Sequence, residues 1–468
     1  MKAAVAVGMP SRTSELNFRF DAVGPGYLSY PTTDRFVEAY SAEQYRQFLS
    51  HRRHGSVARL QPLSLYVHIP FCESLCNFCA CNKVVTKHHE RAQTYLRYLR
   101  REVDLLVAHL GHGQAVTQLH LGGGTPTYLQ NAELGELMDM LRRSFTFVPG
   151  GQHTIEVDPR AVDETRLSAL AAIGFNRLSL GVQDQEPAVQ SAVHRTTPVS
   201  RVRSLVDAAR RCRWNAINLD LMYGLPKQSS ESFQGTLAQM LDLRPDHLTL
   251  YAYAHQPERF KPQRRIAVAE LPGPSTNATM RANSFDALLA AGYVHVGLGQ
   301  FALPGDGLAI AKRQGRLRLG FQGYSDQSAG DVIGLGVSAM GRVGASYSQN
   351  ATSLNAYYDS LDQGRLPVVR GLALSRDDLV RKAVIEALIC QAHVQYESIE
   401  LSYLVNFKRY FAKELDDLQA MGDRGLVSLY DAGIQVTADG CFHVQSIAMV
   451  FDRYYQDDLA CEKFSRVI

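Results

Sequence analysis

The sequence predicts an α/β protein with a partial parallel barrel at its centre, an arm before the barrel and a mostly helical domain after it. Three observations favour this class. Short β-rich apolar runs alternate with longer helical stretches, as strand and helix units do in parallel sheets. Six or seven such units lie between Leu63 and about Val343, which is enough for a barrel or partial barrel. Near residue 375 the alternation gives way to helical periodicity.

The strands are predicted from short runs of β-branched and other apolar residues. In chain order these runs are LSLYVHI (63–69), VTQLHL (116–121), HTIEVD (153–158), NRLSLGV (176–182), AINLDLM (216–222), HLTLYAY (247–253) and YVHVG (293–297). The first connecting helix is indicated by apolar residues at spacings of three and four, which share one helical face. Those residues are Leu96, Leu99, Val103, Leu106 and Leu110.

The chain divides into three predicted parts. The N-terminal arm, the barrel with its extension and the mostly helical C-terminal domain occupy residues 1–60, 61–372 and 373–468. Ser375 and Asp378 are spaced as a helix N-cap pair, so the first helix of the last part is predicted to begin there.

Composition and charge are those of an ordinary globular protein. The chain has 468 residues, of which 46% are hydrophobic, so it has ample material for a large core. A formal net charge of +3, from 49 basic and 46 acidic residues, gives no reason to expect a nucleic-acid partner. The sequence has no apolar run long enough to span a membrane and no signal-peptide core. We therefore expect a cytoplasmic protein, and we also expect a monomer.

Four of the eight cysteines lie close together in the stretch HIPFCESLCNFCACNK (68–83). Cys72, Cys76, Cys79 and Cys81 follow the pattern Cys-x3-Cys-x2-Cys-x-Cys directly after a predicted strand. Reducing compartments keep thiols free, so this cluster indicates metal binding or catalysis rather than disulfides. Three thiolates on one short loop are able to hold three corners of an iron–sulfur cluster and to leave the fourth iron open.

A zinc site and a set of unligated core cysteines are the alternatives for this loop. Structural zinc usually takes two separated ligand pairs, and a second pair is missing from the sequence. The other cysteines are isolated, at Cys212, Cys390, Cys441 and Cys461. Core cysteines seldom gather on one polar loop. An iron–sulfur cluster is therefore the favoured interpretation.

Two further motifs follow the next predicted strands. LHLGGGTPTYL (119–129) has three consecutive glycines, which let the backbone pass close to a ligand with its amide groups outward. IEVDPR (155–160) places Glu156 and Asp158 on one side of a strand. An inward Glu156 needs a cationic or hydroxyl partner, which is either a ligand or, more simply, Arg160 or another base at a strand end.

Later strand ends carry four more candidate residues. They are Gln183 in LSLGVQD, Arg195 in VHRTT, Asp220 in LDLMYGLPKQ and Ala254 in YAYAH. Each of them, taken singly, is explained by ordinary hydrogen bonding or ion pairing. The carboxyl ends of barrel strands are where the chemistry of such folds is located, and all four lie at or soon after such an end.

Taken in order, these motifs resemble a known family. YVHIPFCESLCNFCACNK is similar to the cluster loop of radical S-adenosylmethionine (radical SAM) enzymes, and the later motifs, up to the terminal FSRVI (464–468), resemble the coproporphyrinogen dehydrogenase family. The resemblance implies a radical SAM partial (β/α)6-type barrel. It also implies a [4Fe-4S] cluster with an open iron, ligated by Cys72, Cys76 and Cys79, next to a catalytic Cys81 that is not a ligand.

The same resemblance implies two molecules of SAM bound next to each other. The SAM on the cluster would contact Tyr66, Gly123, Glu156 and Met340. Tyr66 would also take part in catalysis. The second SAM would be held by Phe78, Gly124, Thr125, Gln183, Arg195, Asp220 and Ala254.

The activity implied by the resemblance belongs to haem and porphyrin biosynthesis. An electron from a flavodoxin- or ferredoxin-type donor would lead to cleavage of SAM and formation of a 5′-deoxyadenosyl radical. That radical would take a hydrogen atom from the β-carbon of a propionate. Loss of CO2, and of one electron to an unknown acceptor, would leave a vinyl group. Two such rounds would convert coproporphyrinogen III into protoporphyrinogen IX.

Two segments depart from the family pattern where the substrate is expected. Gly299 and Gln300 replace an Asp-His pair, and Gly26 and Leu28 replace an arginine and a threonine. The changes remove a charge-assisted contact and a proton handler. They leave open a related radical SAM enzyme with another substrate (a haem-opening methyl transferase, a C-methylase or a cyclopropane-forming enzyme) or a haem chaperone. A non-catalytic metal-binding module is the alternative from another class.

Overall fold

The computed structural model describes residues 29–55, 61–327 and 330–458. Its strands are β1 (Leu63–Ile69), β2 (Phe71–Cys72), β3 (Val84–Val85), β4 (Gln114–Gly123), β5 (Phe145–Val157), β6 (Arg177–Gln183), β7 (Ala216–Tyr223), β8 (His247–Ala252), β9 (Val294–Gly297), β10 (Gln300–Ala302), β11 (Arg318–Gly320), β12 (Gly323–Ser325), β13 (Val332–Leu335), β14 (Met340–Arg342), β15 (Ser346–Asn350), β16 (Val368–Ala373), β17 (His393–Gln395), β18 (Val427–Tyr430) and β19 (Gly433–Val436). Its α-helices are α1 (Ala42–His54), α2 (Glu90–Leu110), α3 (Asn131–Ser144), α4 (Glu164–Ile173), α5 (Pro187–Ala192), α6 (Val199–Arg211), α7 (Ser230–Leu241), α8 (Pro274–Ala290), α9 (Gly307–Arg313), α10 (Leu354–Asp362), α11 (Arg376–Gln391), α12 (Tyr396–Tyr403), α13 (Phe407–Tyr410), α14 (Ala412–Gly422) and α15 (Val444–Met449).

Parallel strands form the centre of the main sheet. β1, β4, β5, β6, β7 and β8 lie side by side in that order, and every neighbouring pair among them is parallel. At least one helix lies between each strand and the next, from α2 after β1 to α7 after β7. A series of strand and helix units that advances in one direction along the sheet is the pattern of a (β/α) barrel. The predicted partial (β/α)6-type barrel is therefore confirmed.

Antiparallel strands extend the main sheet at both ends. Its full order is β16-β15-β14-β13-β1-β4-β5-β6-β7-β8-β10-β9, with β13 parallel to β1 and the outer strands antiparallel. The run 293–297, predicted as a further unit of the parallel series, is instead β9 in a hairpin with β10. The two residues between β9 and β10 are too few for the crossover that a parallel pair requires.

The two faces of the barrel strands carry different residues. In β1 the apolar Leu63, Leu65 and Val67 are fully buried, since they point outward against the surrounding helices. Tyr66 alternates with them and lines an internal cavity, as alternate residues of a strand point to opposite faces. The predicted apolar face of α2 is buried too, for example at Leu99. The helices therefore cover the outside of the barrel, and polar side chains face its interior.

The C-terminal part is mostly helical, as predicted. The α11 helix begins with a capping box in which the amide of Asp378 donates to Ser375 Oγ at 3.2 Å and the amide of Ser375 donates to Asp378 Oδ2 at 2.9 Å. This confirms the predicted N-cap pair. Helices α11 to α15 accompany a small antiparallel sheet, β17-β19-β18.

The described part of the N-terminal segment packs on the main sheet. Val37 forms an isolated bridge with Gly371 in β16, and α1 packs on α2 and on the strands β15 and β16. Gly26, Leu28, Cys461 and the terminal FSRVI lie outside the described residues. Among the described residues, no helix combines the length and the apolar character that crossing a membrane requires.

Candidate active site

The cysteine loop leaves the sheet at the carboxyl end of β1. Parallel pairing of β2 with β3 closes the loop at its base. Cys72 and Cys76 are buried and Cys79 is half-buried. Cys81 is exposed, and it lines the internal cavity described below. All four side chains are free thiols.

Hydrogen-bond donors from other loops point at two of these thiols. Thr125 Oγ1 lies 3.4 Å from Cys72 Sγ. Cys76 Sγ accepts hydrogen bonds from Arg195 Nη1 at 3.3 Å and from Arg160 Nη2 at 3.4 Å. A sulfur ligand of an iron–sulfur cluster carries negative charge, which two guanidinium groups at this distance would offset.

Asp158 holds the two arginines in place. Its Oδ2 lies 2.7 Å from Arg160 Nη2 and 3.0 Å from Arg195 Nη1. Burial opposes ionisation of Asp158, but the two arginines outweigh burial and hold its pKa below the ordinary value. Two cations and one carboxylate leave a net positive charge beside Cys76.

The thiols of the loop also affect one another. A hydrogen bond with Cys81, helped by Lys83, lowers the pKa of Cys79 to about 6. The same bond raises the pKa of Cys81, and the partial loss of hydration inside the cavity that this thiol lines adds to the rise. Burial raises the pKa of Cys72 to about 11, and the charges of Cys79 and Cys76 add to that rise. Cys81 is the only one of the four that lines the cavity, and that position distinguishes it from the three predicted ligands.

The loop does not have the geometry of a site for one ion. Among the described residues, no three His, Cys, Asp or Glu side chains converge closely enough to hold a metal ion. An iron–sulfur cluster makes a different demand, because each thiolate binds its own iron at a separate corner. Three thiols on one projecting loop, with cationic donors behind them, fit that donor set.

Glu156 on β5 is held by two donors. His120 Nε2 lies 2.8 Å from its Oε1, and the amide of Gly123 donates to its Oε2 at 3.2 Å. Burial opposes ionisation of Glu156, but these bonds outweigh burial and hold its pKa below the ordinary value. The strand-end base considered as a simpler partner for Glu156 is thus His120, whereas Arg160 pairs with Asp158. Glu156 remains an oriented carboxylate that lines the cavity.

The glycine run after β4 packs directly on the start of the cysteine loop. A Cβ at Gly124 would lie 2.7 Å from the carbonyl oxygen of Pro70 and 2.8 Å from that of Phe71, closer than real contacts allow. The amides of Gly124 and Thr125 donate to the carbonyls of Ile69 and Phe71 at 2.8 and 2.9 Å. Glycine is required here because the two loops touch through their backbones.

Three of the residues predicted for the second SAM meet around Gly181 on β6. Asp220 is the neighbour of Gly181 on β7, and Arg195 Nε donates to the Gly181 carbonyl at 3.1 Å. Gln183 follows two residues later, with a φ of 69°. Its Oε1 is buried and has no hydrogen-bond partner among the described residues. An unpaired buried acceptor is costly, so this oxygen suits a donor group on a ligand.

Asp220 is held by neutral donors. Ser179 Oγ and Asn218 Nδ2 each lie 2.8 Å from one of its oxygens. Burial raises the pKa of Asp220 to about 6, because the two neutral donors only partly compensate for the lost hydration. Asp220 therefore changes its charge in a pH range that is accessible to experiment.

Phe78 and Ala254 lie at one side of the cysteine loop. Phe78 packs on a small apolar cluster that also includes Tyr253, the residue before Ala254. The buried centre of that cluster consists of Val189, Val193 and Leu225. The structure thereby brings the loop after β8 next to the cysteine loop.

One cavity of about 1000 Å³ connects the carboxyl ends of the barrel strands with the antiparallel strands β14 to β16. A volume of this size accommodates a large cofactor or substrate. The sequence-predicted site residues that line it are Tyr66, Cys81, Gly123, Glu156, Asp220 and Met340. The others lie outside its lining, in the loops around the cysteine cluster: Cys72, Cys76, Phe78, Cys79, Gly124, Thr125, Gln183, Arg195 and Ala254.

The interpretation of the sequence missed several polar residues of this site. His120 orients Glu156, and His68 lies 3.1 Å from the hydroxyl of Tyr66. A signal was present, because polar residues occupy alternate positions of the barrel strands and so point to one face. The cavity-lining residues of this kind include Ser64, His68, Gln118, His120, Thr154, Ser179, Asn218 and Thr249.

Comparison with known proteins agrees with this fold. Residues 66–240 match the Radical SAM superfamily, and residues 374–443 match the HemN C-terminal domain. A solved structure, described as coproporphyrinogen III oxidase (HemN) from Escherichia coli, a radical SAM enzyme, superimposes with a TM-score of 0.88 at 42% identity. The match covers 92% of this chain and 97% of the other. Fold and site together define a radical SAM enzyme.

Two curated relatives identify the family within the radical SAM enzymes to which the chain belongs. The oxygen-independent coproporphyrinogen III oxidase of Pseudomonas aeruginosa is 45% identical, covering 97% of this chain and 98% of its own length. The protein of the same name from Escherichia coli is 42% identical, covering 96% of this chain and 97% of its own. The chain belongs to the family of oxygen-independent coproporphyrinogen III oxidases. Membership of the radical SAM superfamily implies a four-iron cluster and SAM.

Proposed function

We propose that this chain catalyses the oxidative decarboxylation of two propionate side chains of coproporphyrinogen III to vinyl groups, which gives protoporphyrinogen IX. The observation that carries the proposal is its similarity, at 42–45% identity over nearly the whole chain, to relatives that bear the name of this oxidase. Those names support this activity over the alternatives of a methyl transferase, a cyclopropane-forming enzyme, a haem chaperone or a non-catalytic module.

Cys72, Cys76 and Cys79 would be the cluster ligands. A four-iron cluster bound there would supply the electron that cleaves SAM. The cationic group of Arg160 and Arg195 beside Cys76 stabilises negative charge on that thiolate. Cys81, which donates to Cys79 and lines the cavity, is available to the substrate rather than to iron.

Tyr66, Gly123, Glu156 and Met340 would contact the SAM on the cluster. Glu156 is the charged member of this set, and SAM carries a sulfonium and an ammonium group. His120 and the Gly123 amide fix the orientation of the Glu156 carboxylate before SAM binds. The side chain therefore loses less conformational entropy on binding. Tyr66, with its hydroxyl next to His68, is the candidate for a further role in catalysis.

Phe78, Gly124, Thr125, Gln183, Arg195, Asp220 and Ala254 would hold the second SAM. The unpaired oxygen of Gln183 and the carboxylate of Asp220 would accept hydrogen bonds from its amino or hydroxyl groups. Phe78 would provide an apolar surface. The support for a second molecule is the family resemblance, together with the meeting of Gln183, Arg195 and Asp220 around Gly181.

The same family resemblance supports a reduced flavodoxin or ferredoxin as the electron donor and a separate electron acceptor. It also supports a monomeric, cytoplasmic protein. Each decarboxylation would consume one SAM, remove one hydrogen atom and pass one electron to the acceptor, so that two rounds complete the reaction.

The experiment is an anaerobic reaction with chemical reductant, SAM and coproporphyrinogen III, in which 5′-deoxyadenosine, CO2 and tetrapyrrole mass are followed together. We expect two successive losses of CO2, each accompanied by one 5′-deoxyadenosine. Formation of 5′-deoxyadenosine with an unchanged tetrapyrrole would overturn the substrate assignment and retain the radical chemistry.

A further inference from the structure

The antiparallel strands β14 and β16 and the helix α11 contribute cationic side chains to the cavity. Arg342, Arg370 and Lys382 all line it. We call these three residues the cationic wall. They are far apart in the sequence and belong to no motif, so their meeting is a product of the fold.

Strand pairing places the cationic wall close to Met340. Met340 on β14 is opposite Gln349 on β15, and Gln349 is opposite Arg370 on β16. Neighbouring strands are about 4.8 Å apart, so Arg370 is about 10 Å from Met340 along this row. Arg342 follows Met340 by two residues on the same face of β14, a separation of about 7 Å. These separations are comparable with the width of a tetrapyrrole.

The two arginines of the wall face neutral oxygens rather than carboxylates. Arg342 Nη2 donates to the carbonyl of Gly330 at 2.9 Å, and Arg370 Nε donates to Gln349 Oε1 at 2.6 Å. Within the described part of the chain, neither forms an ion pair. A guanidinium has five N–H groups, so most donors of each arginine remain for a ligand.

Two other charged residues that line the cavity, Lys382 and Glu156, are already matched. Lys382 Nζ is 3.3 Å from Glu386 and lies 5.4 Å from the centre of the Tyr347 ring. Glu156, towards the barrel, is bonded to His120. Half-buried cations without counter-charges favour an anionic ligand. Arginine suits carboxylates in particular, because its planar fork binds both oxygens of one.

We propose that Arg342 and Arg370, with Lys382 nearby, bind the carboxylates of the propionates that are not reacting. This inference rests on the proposed function, in which the substrate carries four propionates. A reacting carboxylate must leave as neutral CO2, so an arginine bound to it would stabilise the charge that has to be lost. The arginines are therefore suited to hold the molecule by its other carboxylates and to leave the reacting propionate towards SAM.

The test compares Arg342→Gln, Arg370→Gln and the double variant with the wild type under anaerobic turnover. We expect each single change to raise the KM for coproporphyrinogen III about tenfold and the double change to raise it further, with kcat altered less than about threefold. Arg365→Gln is the matched control, because Arg365 is exposed, lies five residues before Arg370 and does not line the cavity. Equal KM values for Arg370→Gln and Arg365→Gln would overturn the inference.

A binding measurement keeps the inference testable if turnover is low. Fluorescence titration with coproporphyrin III and with its tetramethyl ester reports the contribution of the carboxylates directly. We expect the wild type to prefer the free acid and the double variant to lose that preference, with iron content and SAM affinity unchanged. An unchanged preference in the double variant would contradict the assignment. A wild type that binds the free acid without decarboxylating coproporphyrinogen III would refute the proposed function alone.

Discussion

The cavity joins two regions that differ in how their charged side chains are paired. In the cofactor region, at the ends of the barrel strands, Glu156 is bonded to His120 and Asp158 is bonded to two arginines. In the cationic wall, Arg342 and Arg370 donate hydrogen bonds only to neutral acceptors among the described residues. The first region is therefore organised by contacts within the protein. The cationic wall retains positive charge without a counter-charge, as expected of a surface that binds an anionic ligand.

The largest effect is expected at Cys76, in the cofactor region. Cys76→Ser should abolish cluster assembly and all turnover, because one of the three proposed thiolate ligands is lost. Iron content and visible absorbance of protein reconstituted without oxygen measure this. Cys81→Ser is the matched control, because it changes a neighbouring thiol that donates to Cys79, and it should keep its iron while turnover falls. Equal iron loss in the two variants would mean that Cys81 is a ligand.

Glu156→Gln should have the next largest effect. The change keeps the shape of the side chain and removes the charge that faces SAM, so kcat/KM for SAM should fall by about 100-fold. His120→Gln retains a hydrogen-bond donor towards Glu156 and should lose considerably less. If the two variants were equally impaired, Glu156 would act as an element of the barrel structure rather than as a contact to SAM.

An intermediate effect is expected from pH. Burial raises the pKa of Asp220 to about 6, so its carboxylate becomes neutral as the pH falls through that value. SAM is cationic, so its affinity should weaken as the pH falls below 6 and level off about tenfold lower, the loss expected for the neutral side chain. The pKa of Glu156 lies below its ordinary value, so that carboxylate stays charged in this window. Equilibrium binding of SAM to Asp220→Asn should lack this dependence, and persistence of the dependence would assign it to another group.

The smallest effect is expected at Gln300, on β10, which lies at the opposite end of the strand order from β14 and β16. Gln300 lines the cavity in place of the histidine that the family usually carries, but it brings no charge to the substrate carboxylates. Gln300→Ala should change the KM for coproporphyrinogen III less than about threefold. A loss as large as that expected for Arg370→Gln would show that the β9–β10 hairpin, rather than the wall, holds the substrate.

The barrel was predictable from sequence because strand and helix periodicities are local properties. The β9–β10 hairpin was misassigned to the parallel series because an isolated apolar run does not reveal its direction. Gly299 has a φ of 78°, and a Cβ there would lie 2.4 Å from the Leu250 carbonyl oxygen, so this tight turn depends on glycine. A glycine after a short strand was the available signal.

The candidate site was predictable in part. The cysteine loop, the glycine run and Glu156 belong to short motifs, and the fold brings them together at one end of the barrel. His120 was missed because a single histidine in a strand carries no motif. The cationic wall could not be predicted, since it depends on the register of β14, β15 and β16, which long-range pairing determines.

The most direct measurement of the division between the two regions is a crossed comparison of Asp220→Asn with Arg370→Gln. For each variant, the KM for SAM and the KM for coproporphyrinogen III are measured in the same anaerobic assay. We predict that Asp220→Asn raises the KM for SAM about tenfold and that Arg370→Gln raises the KM for coproporphyrinogen III by a similar factor, each leaving the other constant within about threefold. Two variants that shift the same constant would contradict a cavity with separate cofactor and substrate regions.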